Sequence, residues 1–390
     1  MGRFRDALAA RGLSAVAEVK RRSPSMGDLR LDADPAELAA AYEHAGAAAV
    51  SVLVDAERFG GSWDDLRAAR AAAGLPLLAK GFFTSEADVE TARAAGADAL
   101  LLLLRDLDDA ACARLMAAAA SAELDAFVEA HDAAELERAL ALGADPIGVN
   151  ARDLSTFVID RAAQLQLVAK ARAAAPERVV VAESGIWNRA QGVEAELGGA
   201  DAVLVGSSLM KAPDPAARLA ELIVRPLVKV CGLTREEDVA AAADAGADLA
   251  GFVLAESPRR APAVLPVPET MLSVAVCVEV PHGEADLVQL HARENGNRSR
   301  EATLLRDGIP VAQVLDLPWL EEDERHWEHA ALRARDERVV LAGGLTPENV
   351  RTAIETVQPW CVDASRSLEA SPGIKDPEKV HAFVEAVRGG

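Results

Sequence analysis

Lysines and carboxylates recur in this chain where short apolar runs end. Glu18 and Lys20 close the run 15–19 and are followed by Ser23-Pro24-Ser25; Lys80 closes 77–80; Glu129 closes 125–129. Asn150 closes 147–150, with Arg152 and Asp153 just after it, Glu183-Ser184-Gly185 ends the run 179–183, and Gly206-Ser207-Ser208 ends 202–206. A packed core does not tolerate polar groups of this kind, so these residues point to a shared mouth. Two lysines and three carboxylates in one mouth are equipment for general acid–base chemistry, each group tuned by its neighbours. The Gly and Ser turns after the last two runs offer backbone N–H groups to a phosphate. The expected ligand is a small anionic sugar phosphate. A single Glu or Lys at a run's end reads equally well as a surface ion pair; agreement at six ends favours a site. No metal, nucleotide or flavin cofactor is expected, because Lys and Glu can run carbonyl and proton chemistry alone.

The elements that must position these groups repeat. An Ala-rich stretch, then Gly-Ala-Asp or a relative of it, then a β-branched or Leu-rich run recurs at Gly46-Ala47-Ala48, Gly96-Ala97-Asp98, Gly143-Ala144-Asp145, Gly199-Ala200-Asp201 and Gly246-Ala247-Asp248. The glycine suits the end of a helix and the apolar run suits a strand buried on both faces, so the class is α/β with parallel strands. Runs at 15–19, 48–54, 77–80, 99–104, 125–129, 147–150, 179–183 and 202–206 predict a closed (β/α)8 TIM-type barrel. A dinucleotide-binding sheet would need a GxGxxG turn after its first strand, and that turn is missing. Residues 213–223 read as a closing helix, and Arg225-Pro226 is a break. Domains are therefore expected at 1–224 and 227–390, the second another barrel, with runs near 227–231, 249–253, 273–279, 287–291, 311–315, 338–342 and 360–363. This barrel is one strand short. The 164 residues from 227 to 390 also fall below the roughly 200 of a complete barrel. Too few residues separate its third run from Val288 for a crossover helix, and its fifth or sixth strand has no segment left. Whether this shortened half closes stays open.

Bulk properties narrow the class. A length of 390 residues, 51% hydrophobic and 26% charged, is ordinary globular usage for two domains or one enlarged barrel. The formal charge of −21 argues against a nucleic-acid partner and an anionic membrane surface. Cys112, Cys231, Cys277 and Cys361 are far apart, without metal-ligand spacing, and read as free thiols of a reducing compartment. With neither a leader-like N-terminus nor a membrane-length apolar run, the expected location is the cytoplasm.

The same residues carry a resemblance. Ala17-Glu18-Val19-Lys20-Arg21-Arg22-Ser23-Pro24-Ser25, Phe59-Gly60-Gly61-Ser62, Lys80-Gly81-Phe82, Val128-Glu129-Ala130-His131, Gly148-Val149-Asn150-Ala151-Arg152-Asp153-Leu154, Ala182-Glu183-Ser184-Gly185-Ile186 and Val205-Gly206-Ser207-Ser208-Leu209-Met210 follow one another as in the indole-3-glycerol-phosphate synthases, which residues 15–211 resemble. The resemblance implies closure of 1-(2-carboxyphenylamino)-1-deoxyribulose 5-phosphate to indole-3-glycerol phosphate, with loss of carbon dioxide and water. It casts Lys80 as the general acid on the ketose carbonyl and Glu129 as a base in the dehydration. Lys20, paired with Glu18, would hold the substrate carboxylate or donate a proton, and Asn150 and Glu183 would orient hydroxyls. Ser23, Ser184, Gly185, Gly206 and Ser207 would line the pocket, mainly at its phosphate end. Two features depart from the family pattern: Gly81 stands where Asp is usual, and a longer helical segment usually precedes the first strand.

In the second half, Lys229-Val230-Cys231-Gly232-Leu233-Thr234-Arg235, Ser257-Pro258-Arg259, Val288-Gln289-Leu290-His291, Leu341-Ala342-Gly343-Gly344-Leu345 and Pro372-Gly373-Ile374-Lys375-Asp376 resemble phosphoribosylanthranilate isomerase. That activity makes the first half's substrate by an Amadori rearrangement. The resemblance implies Cys231 as general base, Arg259 as a substrate contact, and Gly343, Gly344 and Ser365 as a phosphate cradle. Asp316 is the candidate general acid, although Leu317-Pro318-Trp319-Leu320-Glu321-Glu322-Asp323 replaces the Gly-rich loop expected after it. Without the motif, a strand-end Cys is more often a small core residue. Three readings follow: a bifunctional enzyme of consecutive steps, a synthase with an inactive second half kept for packing, and a Schiff-base aldolase on Lys80. The last leaves Glu18, Glu129 and the Ser23-Pro24-Ser25 turn without a purpose.

Overall fold

Every apolar run of the first half is a strand: β1 (Ser14–Val19), β2 (Ala49–Leu53), β3 (Leu77–Lys80), β4 (Ala99–Leu103), β5 (Asp125–Ala130), β6 (Ile147–Asn150), β7 (Val180–Glu183) and β8 (Ala202–Val205). The structure, a computed structural model, describes residues 2–153, 155–316 and 325–389, with the backbone alone for Arg325 and His326. All eight strands run parallel, and β1 pairs with β8 from Ser14↔Ala202 to Ala17↔Val205, which closes the barrel. Both faces of each strand are covered, which is why the runs are continuously apolar rather than alternating. Aspartates start the helices: Asp34, Asp108, Asp132 and Asp160 each accept a backbone N–H of the first turn. Such a cap contributes about 0.5–2 kcal/mol.

The aspartate of the repeated Gly-Ala-Asp has a structural role that the pattern alone did not reveal. Asp98 accepts the N–H of Leu77, Asp145 that of Val179, Asp201 that of Val180 and Asp248 that of Val228. Each carboxylate thus fastens the start of a neighbouring strand, at the end of the barrel opposite the polar residues. Polar strand ends are left to the other face.

The chain folds as two compact units, Met1–Ile223 and Val224–Gly390. The second unit is also a closed eight-stranded barrel: β9 (Leu227–Cys231), β10 (Leu249–Val253), β11 (Leu272–Val278), β12 (Leu287–Glu294), β13 (Asn297–Arg306), β14 (Ile309–Asp316), β15 (Val339–Ala342) and β16 (Cys361–Ala364). This corrects the expectation of a missing strand. β13 supplies it, running antiparallel to both β12 and β14, while the other strands keep the parallel direction. Two turns, Asn295-Gly296 and Asp307-Gly308, make the reversals, with φ of 52° and 82°, and 51° and 77°. Two successive residues with positive φ are what a two-residue hairpin turn needs, and Asn-Gly and Asp-Gly reach it with least strain. A three-strand meander therefore replaces two strand–helix units, and the 164 residues close a barrel that all-parallel wiring could not. The parallel neighbours β11 and β12 are joined through 279–286 without a helix. Among the described residues no helix is long and apolar enough to cross a membrane.

Candidate active site

At the C-terminal ends of the first barrel's strands, the polar residues meet in a cavity of about 690 Å³, within the usual range for a small-molecule site. Its centre is the Lys80 ammonium at the end of β3. Lys80 Nζ donates to Glu183 Oε2 at 2.6 Å and stands 3.4 Å from Glu18 Oε2 and 3.9 Å from Glu129 Oε2. Lys20 Nζ lies 2.6 Å from the other oxygen of Glu18. Asn150 Nδ2 donates to Glu129 Oε1 at 2.9 Å, and Asn150 Oδ1 accepts the N–H of Arg152. Glu18, Glu129 and Glu183 are almost wholly buried, while among the described residues Glu129 Oε2 and Glu183 Oε1 have no hydrogen-bond partner. Buried acceptors left open toward a cavity are available to a ligand. Phe59, Phe82, Phe157 and Trp187 line the cavity with Leu101 and Leu103, giving it an apolar wall beside the charged cluster.

Burial and neighbours drive the three carboxylates apart. For Glu183, burial and the adjacent Glu129 push the carboxyl up against the pull of Lys80, toward an acid that keeps its proton near neutrality. Burial also works to raise Glu129, but His131, Lys80 and Asn150 outweigh it and hold the group low, as a carboxylate. Glu18 goes the same way: Lys20 and Lys80 overcome its burial. His131 Nε2 stands 3.0 Å from Glu129 Oε1, and its Nδ1 3.0 Å from Glu135 Oε2. Burial opposes the imidazolium, yet these two carboxylates raise His131 to about 10. One cavity thus holds a proton-bearing acid, an ionised base and a fixed ammonium, which is the separation that acid–base catalysis requires.

The turns after β7 and β8 differ in what they offer. Ser184 and Gly185 have φ of 69° and 73°, a tight turn whose backbone N–H groups are available to an anion. Gly206 makes room instead. A Cβ there would collide with Glu18 Oε1 and come within 2.8 Å of Lys20 Nζ, so the Glu18–Lys20 pair requires a glycine beside it. Gly81 is similarly constrained, since a Cβ would come 2.9 Å from the Phe83 ring.

The mouth of the second barrel is built on a buried lysine. Lys229 Nζ donates to Gln289 Oε1 at 2.6 Å and Asp363 Oδ2 at 2.8 Å. His291, wholly buried, donates from Nδ1 to the carbonyl of Ser299 and accepts from Gln289 at Nε2. Burial lowers it to about 4, so the ring is neutral. Cys231, two residues beyond Lys229, is pushed up by burial, with Lys229 acting in the opposite sense. Arg259 makes a two-pronged contact with Glu369, 2.8 Å on each side, and Lys375 Nζ reaches both Glu369 and the carbonyl of Ser365. Gly343 and Gly344 both have positive φ, 101° and 79°. Asp316 ends β14 and accepts from Arg298 Nη2 of β13 at 2.6 Å.

Comparison with known proteins bears on both barrels. The family model described as indole-3-glycerol phosphate synthase matches residues 2–222. The chain belongs to the indole-3-glycerol phosphate synthase family. The model for N-(5'phosphoribosyl)anthranilate (PRA) isomerase matches residues 322–386. An indole-3-glycerol phosphate synthase from a Nocardioides species is 51% identical over 206 residues, 53% of this chain and 78% of that protein. The tryptophan biosynthesis protein TrpCF of Yersinia pestis is 34% identical over 412 residues, covering 96% of this chain and 84% of its own length. Among solved structures, TrpF from Jonesia denitrificans is 30% identical, covering 42% of this chain and 98% of its own, with a TM-score of 0.33.

In the synthase barrel, Glu18, Lys20, Ser23, Lys80, Glu129, Asn150, Ser184, Gly185, Gly206 and Ser207 all line the one cavity, and Glu183 reaches its Lys80. Ser23 spends its hydroxyl on its own turn, accepting the N–H of Met26. In the isomerase-like barrel, Cys231, Asp316, Gly343, Gly344 and Ser365 all lie at or just after the C-terminal ends of strands. A Cβ on Gly232 would meet Ser365 Oγ at 2.9 Å and Arg259 Cδ at 3.3 Å, which places those three together. The segment 317–323 and Leu154 lie outside the described residues. Cys112, Cys277 and Cys361 are buried thiols. Sequence reasoning missed the working partners His131, Glu135, Lys229, Gln289, His291 and Arg298. Most had a signal: His131 two residues beyond Glu129, and Lys229/Cys231 and Gln289/His291 at the two-residue spacing of one strand face.

Proposed function

We propose that this chain catalyses two consecutive steps of tryptophan biosynthesis. Its second barrel isomerises N-(5-phosphoribosyl)anthranilate to 1-(2-carboxyphenylamino)-1-deoxyribulose 5-phosphate, and its first closes that product to indole-3-glycerol phosphate, carbon dioxide and water. Each unit serves as one catalytic domain. The observation that carries the reading is the Lys80 ammonium held 2.6 to 3.9 Å from three buried carboxylates brought from three other strands.

In the first barrel, Lys80 polarises the ketose carbonyl, so that the ring carbon bearing the carboxylate attacks it. The carbonyl oxygen takes a proton and leaves later as water; the ring loses its carboxylate as carbon dioxide. Lys20, fixed by Glu18, binds the carboxylate. Glu129, ionised beside His131, removes a proton in the dehydration, and Glu183, which carries a proton, hydrogen-bonds the departing oxygen, with Asn150 holding Glu129 in place. The phosphate lies at the turns of Ser184-Gly185 and Gly206-Ser207. In the second barrel, Cys231 takes the C2 proton, Asp316 protonates the ring oxygen, and Gly343-Gly344 with Ser365 receive the phosphate. Residence in the cytoplasm, expected from the free thiols, is part of the same proposal. The test is turnover of each substrate by the purified chain and by Lys80→Met and Cys231→Ser. The proposal requires each substitution to stop one step and spare the other, and loss of neither step would refute the residue assignments.

A further inference from the structure

Lys229 is the buried cation that the chemistry proposed for the second barrel does not use. It lies on β9 two residues before Cys231, and residues two apart on a strand share a face, here the barrel interior. Its side chain is 1% exposed. The ammonium has three hydrogens to place; Asp363 Oδ2 at 2.8 Å and Gln289 Oε1 at 2.6 Å take two of them. Gln289 is fixed in that orientation because its amide nitrogen donates to His291 Nε2, and His291 Nδ1 donates in turn to the carbonyl of Ser299. The ammonium therefore sits in a built socket, with Asp363 its one counter-ion among the described residues.

That socket adjoins the thiol. β9 is flanked by β10 and β16. On β10, Gly251 leaves a gap: a Cβ there would stand 2.8 Å from Cys231 Sγ and 3.0 Å from Lys229 Cε, so the two side chains lean over one glycine. On β16, Asp363 holds the lysine. The other charged groups acting on Cys231 are Lys375 and Arg298, the latter brought to this mouth by the reversed β13. Burial pushes the thiol up, and Lys229 is the strongest influence in the opposite direction, ahead of Lys375 and Arg298, while Asp363 adds to the rise. The thiolate is the reactive form of a cysteine, and burial alone disfavours it. A base in this position needs a fixed cation next to it.

We propose that Lys229 is a positioning residue of the second site: its ammonium, pinned by Asp363 and Gln289, stands beside Cys231 to hold that side chain as the thiolate that takes the C2 proton. This rests on the isomerase reading above. On taking the proton the thiolate becomes a neutral thiol, and the electron pair of the C–H bond passes into a C1–C2 double bond of the substrate. Lys229 gives and takes no proton in the step.

The thiolate absorbs in the ultraviolet, so titrating each full-length chain against the same chain carrying Cys231→Ser isolates this one group. Lys229→Met moves the Cys231 midpoint up by about 1 pH unit or more, the effect of losing a neighbouring opposite charge, and Lys229→Arg keeps it nearer the native value. Asp363→Asn moves it down. The acid limb of the isomerase kcat/KM profile moves with the midpoint in each variant. Should Lys229→Met not fold, the double variant Lys229→Met with Asp363→Asn, which leaves no unpaired charge, is compared with Asp363→Asn alone, and its midpoint is the higher. Synthase turnover from the carboxyphenylamino substrate stays at the native level throughout. A lysine that only fills the core would leave the midpoint in place, or move it the same way in Lys229→Met and Asp363→Asn, and either result would overturn the proposal. Midpoints that shift as expected in a chain that never turns over N-(5-phosphoribosyl)anthranilate would overturn the isomerase reading instead.

Discussion

Lys80→Met keeps most of the side chain's volume and removes its charge, so its effect is electrostatic. At an effective dielectric constant of about 20, unit charges 3.4 and 3.9 Å apart, as Lys80 stands from the ionised Glu18 and Glu129, attract by ~5 and ~4 kcal/mol. Desolvation of the same groups offsets most of that. Removing one member of a buried ion cluster leaves a net loss of about 3–5 kcal/mol. The loss depends on pH in a definite sense. Glu18 and Glu129 lie below the ordinary carboxylate value of 4.5 in the folded protein, so their contribution exists above about pH 4.5 and fades as the pH falls. Glu183 lies above it and opposes folding as pH rises through that range. Without Lys80 all three move up. The variant is therefore expected to fall behind by about 3–5 kcal/mol at pH 8 and to converge on the native chain only as the pH drops through the lowered value of Glu129, to about 2, with synthase turnover down about 100- to 10,000-fold, as for loss of a general acid. Denaturant unfolding at several pH values, beside indole-3-glycerol phosphate fluorescence, checks both. A pH-independent deficit, or turnover within 10-fold of native, would refute the electrostatic account.

Other substitutions probe separate parts of the structure. His131 is raised to about 10 from an ordinary value of 6.5, so its stabilisation is full below pH 6.5 and lost as pH rises toward 10; His131→Gln should be less stable at pH 6 and equal to native above pH 10 in urea titrations. Gly206→Ala sets a methyl against Glu18 and Lys20 and should lower synthase turnover at least 10-fold, about 1.4 kcal/mol of barrier, while isomerase turnover is unchanged. Gly296→Ala forces a residue with a side chain to φ of 82°, and should destabilise the second barrel by about 1–2 kcal/mol, seen as a shift of its unfolding midpoint alone.

The first barrel was legible because its period is simple. Each strand is buried on both faces and so is almost continuously apolar, several helices begin on an aspartate, and the charged groups cluster where strands meet the cavity. β13 was not legible by the same rule. Asn297-Arg298-Ser299-Arg300-Glu301 has the composition of a loop, and its inward set, Ser299, Ala302 and Leu304, lacks the continuous apolar run sought for a parallel strand. The signal was in the turns. Asn295-Gly296 and Asp307-Gly308 are hairpin dipeptides, and reading them first would have placed the antiparallel strand between them. The site residues in the first barrel came from strand ends, whereas the contact of Glu135 with His131 depends on one side chain reaching back to another, which strand-end position does not show. Arg298 was hidden twice, by its loop-like surroundings and by a direction of travel that only pairing reveals.

The central claim is that one chain holds two working sites, and one measurement addresses it. Indole-3-glycerol phosphate fluorescence is followed in the native chain, Lys80→Met and Cys231→Ser, starting either from N-(5-phosphoribosyl)anthranilate or from 1-(2-carboxyphenylamino)-1-deoxyribulose 5-phosphate. The account predicts product from both substrates with the native chain, from the second alone with Cys231→Ser, and from neither with Lys80→Met, which accumulates the intermediate from the first. Product from the second substrate alone with the native chain would contradict it.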